Sequence, residues 1–168
     1  LHRDFDDWAP FYVPDADVCV VAGDVGEGLA QSIRWLHHHI ARDHMPVVFV
    51  AGNHEFYRHA IDESFEEARA LQIACPDVTF LEDDSTVIGG VRFVGSTLWT
   101  DYEVMRTADN ADPALHLNWA MHECRQRMND HRRIALQKNP WMRWRPQEAR
   151  QAHLRSRSYL ERVLAEPF

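Results

Sequence analysis

Two short runs of apolar, β-branched residues, each ended by glycine and an acidic or amide residue, constrain this chain more than any other feature. Residues 17–22 read Asp-Val-Cys-Val-Val-Ala and stop at Gly23-Asp24. Residues 46–51 read Pro-Val-Val-Phe-Val-Ala and stop at Gly52-Asn53. Their apolarity is continuous rather than alternating, which predicts strands buried on both faces, as in a parallel sheet covered by helices. Between them Leu29, Ile33, Leu36 and Ile40 fall at helical spacing on one face. Parallel neighbours need such a crossover, and it runs right-handed. A second helix is expected with Ile61, Phe65, Ala68 and Leu71 facing inward, followed by a third strand at 78–81.

The texture then changes. Thr86-Val87-Ile88 and Val91-Arg92-Phe93-Val94 flank Gly89-Gly90, which predicts a hairpin because paired glycines suit a tight turn of positive φ. After about Trp99 no further strand is expected. Asp112-Pro113 reads as an N-cap and first helical residue. Ala114, Leu117, Met121, Cys124 and Met128 continue one helix, which is expected to end at Asp130-His131-Arg132-Arg133. Asn139-Pro140 and Arg145-Pro146 interrupt the pattern, and a last helix carries Ala149, His153, Ser156, Leu160 and Val163. Residues 1–100 are therefore expected to be α/β and residues 101–168 a mainly helical part.

Composition excludes several classes. Of 168 residues, 45% are hydrophobic, enough apolar surface to rule out a disordered chain. The longest nearly apolar run, Met45 to Gly52, is far short of the roughly 18 residues a membrane-spanning helix needs. Cys19, Cys75 and Cys124 are too few and scattered for a disulfide framework or a cysteine-rich zinc site. No basic segment leads into an apolar stretch at the start, so a cytoplasmic location is expected. The net charge of −8 speaks against a general nucleic-acid binder. It is unevenly spread. Residues 1–112 hold 7 basic and 21 acidic residues, whereas 113–168 hold 11 and 5. The first part suits cations; the second, in which ten of the cations are arginines, could face an anion.

The candidate chemistry lies at His2, Gly23-Asp24 and Gly52-Asn53-His54-Glu55. In open α/β sheets ligands bind beyond the carboxyl ends of the strands. Neighbouring strands lie roughly 5 Å apart, so Asp24 and Asn53 would converge if their strands pair. A glycine before each lets the backbone approach an ion closely. Carboxylate, amide oxygen and imidazole together suit Mn, Fe or Zn better than thiol-preferring metals. His54 would enter the same cleft and could hold charge on a phosphoryl oxygen or protonate a leaving alkoxide. Glu55 is expected to orient a ligand or bond backbone rather than ligate. His37, His38 and His39 cannot share one ion, since successive helical residues point about 100° apart. Trp141, Met142, Arg143, Trp144 and Arg145 mix aromatics with cations as single-strand binders do, but a loop packing its tryptophans under the last helix is the preferred expectation.

The order His2, Gly23-Asp24, Gly52-Asn53-His54-Glu55 resembles the calcineurin-like metallophosphoesterase superfamily, whose pattern is Asp-x-His, Gly-Asp and Gly-Asn-His-Asp/Glu. The spacings are 22 residues from His2 to Asp24 and 29 from Asp24 to Asn53. Gly95-Ser96-Thr97-Leu98-Trp99-Thr100-Asp101 also looks like a strand end in a bacterial subgroup of that superfamily. The resemblance implies an αββα sandwich, here partial and carrying a helical insertion. It implies two divalent metal ions (Mn, Fe or Zn), with His2 on the first, Asp24 bridging both and Asn53 on the second. His54 would be the catalytic histidine, and two ions about 3.5–4 Å apart would activate water against a phosphate-ester small molecule.

The sequence departs from the pattern as well. The superfamily's Asp two residues before His2 is not in the chain, and neither are its later His and Gly-His-x-His motifs. The chain is accordingly expected to be an N-terminal fragment of a phosphoester hydrolase, inactive alone. The alternatives are a phosphodiesterase or nuclease of the same superfamily, and a non-catalytic scaffold that keeps the fold.

Overall fold

The computed structural model describes residues 12–104 and 112–168. Its centre is a parallel sheet of β1 (Cys19–Ala22), β2 (Val47–Val50) and β3 (Val78–Phe80), in that order. Cys19 pairs with Val47 and Ala22 with Val50, so the two motif-bearing strands are neighbours and end level with one another. The crossover between them is α1 (Leu29–Leu36), prolonged by a single π turn over His37–Ala41 in which Arg42 N–H reaches the His37 carbonyl. Leu29, Ile33, Leu36 and Ile40 are all buried, as their spacing predicts. The helix α2 (Ile61–Ala74) follows, burying Ile61 and Ala68 with Phe65 partly buried beside them. Residues β4 (Asp84–Ile88) and β5 (Val91–Gly95) form the expected hairpin about Gly89 and Gly90, both at positive φ.

The mixed α/β architecture expected from the sequence is present; three local expectations are corrected. Burial on both faces holds for β2 but not for β1, where Val20 is 63% exposed. The exposure lies on one face: Val21 is buried in the core, whereas Val20, the next residue along the pleat, points to the opposite face. The second correction concerns the helix beginning at Asp112. Asp112 caps it through Ala114 N–H and Leu115 N–H, and Pro113 is its first residue. This helix, α3 (Pro113–Arg127), stops at Met128, whose backbone is extended. Residues Asp130–Arg133 form a separate short helix, α4.

The third correction is that strands do occur after Trp99. An antiparallel hairpin runs through β6 (Ala135–Lys138) and β7 (Trp141–Arg143), turning at Asn139-Pro140. Such short strands, of mixed apolar and polar residues, lack the apolar run that announced β1 and β2. The anticipated loop over 141–145 is therefore half strand. Its tryptophans separate: Trp144 is buried with its ring 4.8 Å from that of Trp99, while Trp141 is 60% exposed. The final helix, α5 (Pro146–Ala165), starts at Pro146 and buries Ala149, Ala152, Ser156 and Val163.

The helical part is stitched to the α/β part by backbone. Ala135 bridges Ala60 in parallel, Ala135 N–H donates to the His59 carbonyl, and Arg58 N–H donates to the Arg133 carbonyl. Close by, His131 is 2% exposed. Its Nδ1 faces the Trp144 carbonyl at 3.2 Å, which only accepts, so Nδ1 carries the proton. Its Nε2 then accepts from the Tyr102 hydroxyl at 3.0 Å. Burial pushes the His131 pKa down.

Two predictions follow from this packing. Phe49 is fully buried with its ring 5.8 Å from that of Phe80. Phe49→Ala should lower unfolding free energy by about 3–5 kcal/mol in a denaturant titration, while Val20→Ala should leave it nearly unchanged. The neutral His131 makes the unfolded chain the better proton binder, so its contribution is present at neutral pH and is lost as pH falls below about 6.5. The melting temperature of His131→Gln should accordingly vary less between about pH 7 and 5 than that of the parent chain.

Candidate metal and phosphoester site

The site is built where β1 and β2 end. Glu55 is the residue that assembles it. It is fully buried and lies in the 3-10 turn His54–Phe56. One carboxylate oxygen accepts from Val25 N–H at 2.7 Å, Gly26 N–H at 3.2 Å and the Ser32 hydroxyl at 3.1 Å. The other accepts from Asp24 N–H at 2.9 Å and Gly52 N–H at 2.7 Å. A single side chain thus ties the loop after β1 to the loop after β2, as the expectation that Glu55 bonds backbone anticipates.

The two loops touch. A Cβ on Gly52 would sit 2.1 Å from an Asp24 carboxylate oxygen, and one on Gly23 would sit 2.3 Å from the Gly52 nitrogen. Only glycine permits this approach. Asp24 itself has φ 53, a left-handed conformation that costs a non-glycine residue energy. The Glu55 hydrogen bond to Asp24 N–H helps to hold it there, and the Asp24 carboxylate in turn accepts from His54 N–H at 3.2 Å.

Asn53 is held from the far part of the chain. Its amide nitrogen donates to an Asp130 carboxylate oxygen at 2.8 Å and lies 3.2 Å from the Tyr57 hydroxyl. Because Asp130 only accepts, the nitrogen must face it, which leaves the amide oxygen for a cation. The Tyr57 hydroxyl donates to the same Asp130 oxygen at 2.9 Å. Burial, reinforced by that bond, pushes the Tyr57 pKa up to about 12, so it stays a protonated donor. The Tyr57 ring stacks on the His54 imidazole at 4.4 Å, and the Arg133 guanidinium lies 5.4 Å from the Tyr57 ring centre.

The structure therefore brings Asp24, Asn53 and His54 to one place. His2 lies outside the described residues. Among the described residues no three His, Cys, Asp or Glu side chains gather as a metal cluster, and His37, His38 and His39 do not form one. The donors present still fit a hard divalent cation: an Asp carboxylate and an oriented Asn carbonyl are oxygen ligands of that type. Sequence reasoning reads Asp130 only as part of the basic helix end 130–133, with a place over the site as the lesser alternative, and it missed Tyr57. Asp130 is 77 residues from Asn53, so no local pattern pairs them.

The family profile for calcineurin-like phosphoesterases matches residues 1–153. The chain belongs to the calcineurin-like phosphoesterase family. A relative, "Uncharacterized protein L509" of Acanthamoeba polyphaga mimivirus, is 25% identical over 84 residues. That match covers 47% of this chain and 30% of the viral protein, so the chain spans well under half of that relative. No solved structure matches. Among the described residues no helix is long and apolar enough to cross a membrane.

Glu55 offers a test of this construction. Glu55→Gln places an amide N–H₂ among five hydrogen-bond donors, and leaving buried donors unpaired costs about 1–3 kcal/mol each. The substitution should destabilise the fold by several kcal/mol in a denaturant titration, far beyond the effect of Glu63→Gln on the surface.

Proposed function

We propose that the calcineurin-like phosphoesterase site of this chain hydrolyses phosphate esters with two divalent metal ions. The observation that carries this reading is the clamp of Glu55 on the Asp24 and Gly52 loops, which sets two oxygen donors and an imidazole at the carboxyl ends of adjacent parallel strands. In this reading Asp24 and Asn53 would hold the ions through their side-chain oxygens. His2 would join them, and the remaining ligands come from outside the described residues. When bound, divalent cations supply Lewis acidity toward a phosphoryl oxygen and a water nucleophile at neutral pH. Manganese, iron and zinc all suit mixed oxygen and nitrogen donors.

The protein's own groups do the rest. The Asn53 amide is oriented by Asp130, so its carbonyl need not reorganise when a cation arrives. The His54 ring is held against Tyr57; in this reading it stabilises charge on the phosphoryl group or protonates the leaving oxygen. We further propose that residues 101–168 form an insertion beside the site, an idea supported by Asp130 reaching Asn53. Three free cysteines accord with a cytoplasmic location.

In the protein carrying this chain, manganese-dependent turnover of p-nitrophenyl phosphate and of bis-p-nitrophenyl phosphate tests the reading and separates monoester from diester preference. His54→Ala should lower kcat by roughly 10²–10⁴-fold. Asp24→Ala should abolish both turnover and metal retention measured by elemental analysis. A protein that neither retains metal nor turns over either ester would instead be a scaffold.

Asp130 supplies a finer test. Asp130→Asn should weaken manganese activation, raising the manganese concentration needed for half-maximal rate by about 10–100-fold. A saturating rate close to that of the parent would mark it as a positioning residue.

A further inference from the structure

The β6–β7 hairpin carries a second chemical feature beside the candidate metal site. One pocket of about 340 Å³ is lined by Arg58, Arg132, Arg133 and Lys138 together with Trp141. On another side Arg125, Arg143 and Arg145 line a pocket of about 200 Å³, again with Trp141. Trp141 thus belongs to both pockets, is 60% exposed, and has the Arg143 guanidinium 5.4 Å from its ring centre. The acids nearby are few. Glu27 pairs with Arg58 at 3.3 Å and Arg133 at 3.6 Å, Glu63 pairs with Lys138 at 3.2 Å, and Glu148 accepts from Arg145 backbone N–H. Cations therefore outnumber acids here, in a chain whose net charge is −8.

We propose that this hairpin is a binding surface for single-stranded nucleic acid. Non-specific single-strand binders combine a cationic track for phosphates with exposed aromatic rings on which bases stack. Both elements are present here, and their arrangement favours a strand over a mononucleotide. A mononucleotide would occupy one pocket, whereas a chain whose base stacks on Trp141 can place phosphates on both sides of it. The surface is continuous with the candidate site: Arg133 lines the larger pocket and covers Tyr57, whose ring stacks on His54. Delivery of a strand's phosphodiester to that site rests on the phosphoester reading above; binding at the hairpin does not. The mixed tryptophan and arginine run of 141–145 thereby acquires a role that burial of Trp144 alone does not explain.

The test is fluorescence anisotropy of a fluorescein-labelled oligothymidylate about ten nucleotides long, within the usual range for such sites. It is run with EDTA present, so that no strand is cleaved. Saturable binding is expected. Trp141→Ala should weaken it by roughly 5- to 100-fold and Trp141→Phe by less, because a smaller ring still stacks. Neutralising Arg132 and Lys138 to Gln should flatten the dependence of log Kd on log salt by about 0.7 per lost phosphate contact. Circular dichroism of each variant checks that the fold is intact; Trp141, being exposed, should tolerate replacement. Absence of saturable binding, or an affinity untouched by Trp141→Ala, would overturn the proposal. So would equal affinity for a polyglutamate peptide, or competition by thymidine monophosphate at the oligonucleotide's own concentrations. Turnover of p-nitrophenyl phosphate and of bis-p-nitrophenyl phosphate by the same protein, with manganese in place of EDTA, separates the two readings. Turnover without strand binding removes the hairpin proposal alone, and strand binding without turnover removes the phosphoester reading alone.

Discussion

The carboxylate of Glu55 ties together the loops that follow two paired parallel strands. Five donors converge on its two oxygens, four of them backbone N–H groups from the loops that follow β1 and β2. Those N–H groups lie beyond the ends of their strands, where no ladder partner is available, and a buried unpaired N–H is costly. A carboxylate is the one short side chain that accepts this many bonds without bringing a donor of its own. The positive φ of Asp24, the contact of its carboxylate with Gly52, and the placing of Asn53 and His54 next to Glu55 all depend on this clamp.

Around it the structure is layered by distance along the chain. Near in sequence, the glycines allow close approach and the strand register sets Asp24 and Asn53 at the same level. Far in sequence, Asp130 turns the Asn53 amide and holds Tyr57, which supports the His54 ring. The helical part is thus more than a cover. It reaches the site through one carboxylate, and it is docked by backbone bonds from Arg58 and from Ala135. The same docking carries the Arg-rich hairpin to the side of the site, with Arg133 over the Tyr57 ring.

What the sequence reveals about the fold follows burial. Continuous apolar runs and the spacing of Leu29, Ile33, Leu36 and Ile40 predict β1, α1 and β2, and glycine pairs predict the β4–β5 hairpin. These signals are local, because a strand or helix facing a core must repeat its apolar residues at its own period. The β6–β7 hairpin escapes such reading, since its strands are short, mix apolar with polar residues, are partly exposed and pair mainly with one another. The end of α3 escapes for a related reason: Met128 continues the helical spacing, and only its extended backbone shows that the helix has stopped.

The sequence by itself determined the site's chemical alphabet: a Gly-Asp and a Gly-Asn-His-Glu, each after an apolar strand, and hence the phosphoesterase family. Those assignments depend on residue type and spacing along one stretch of chain, which is information a sequence carries directly. Only the tertiary structure decided that Glu55 is the clamp, that Asp130 holds the Asn53 amide and Tyr57 the His54 ring, and that Trp141 faces solvent while Trp144 is buried. Each of those depends on the distance between residues 30 to 77 positions apart, or on which face of a short strand meets the core. Such distances are set by how the elements dock, and docking is a property of the whole packed chain rather than of any segment within it.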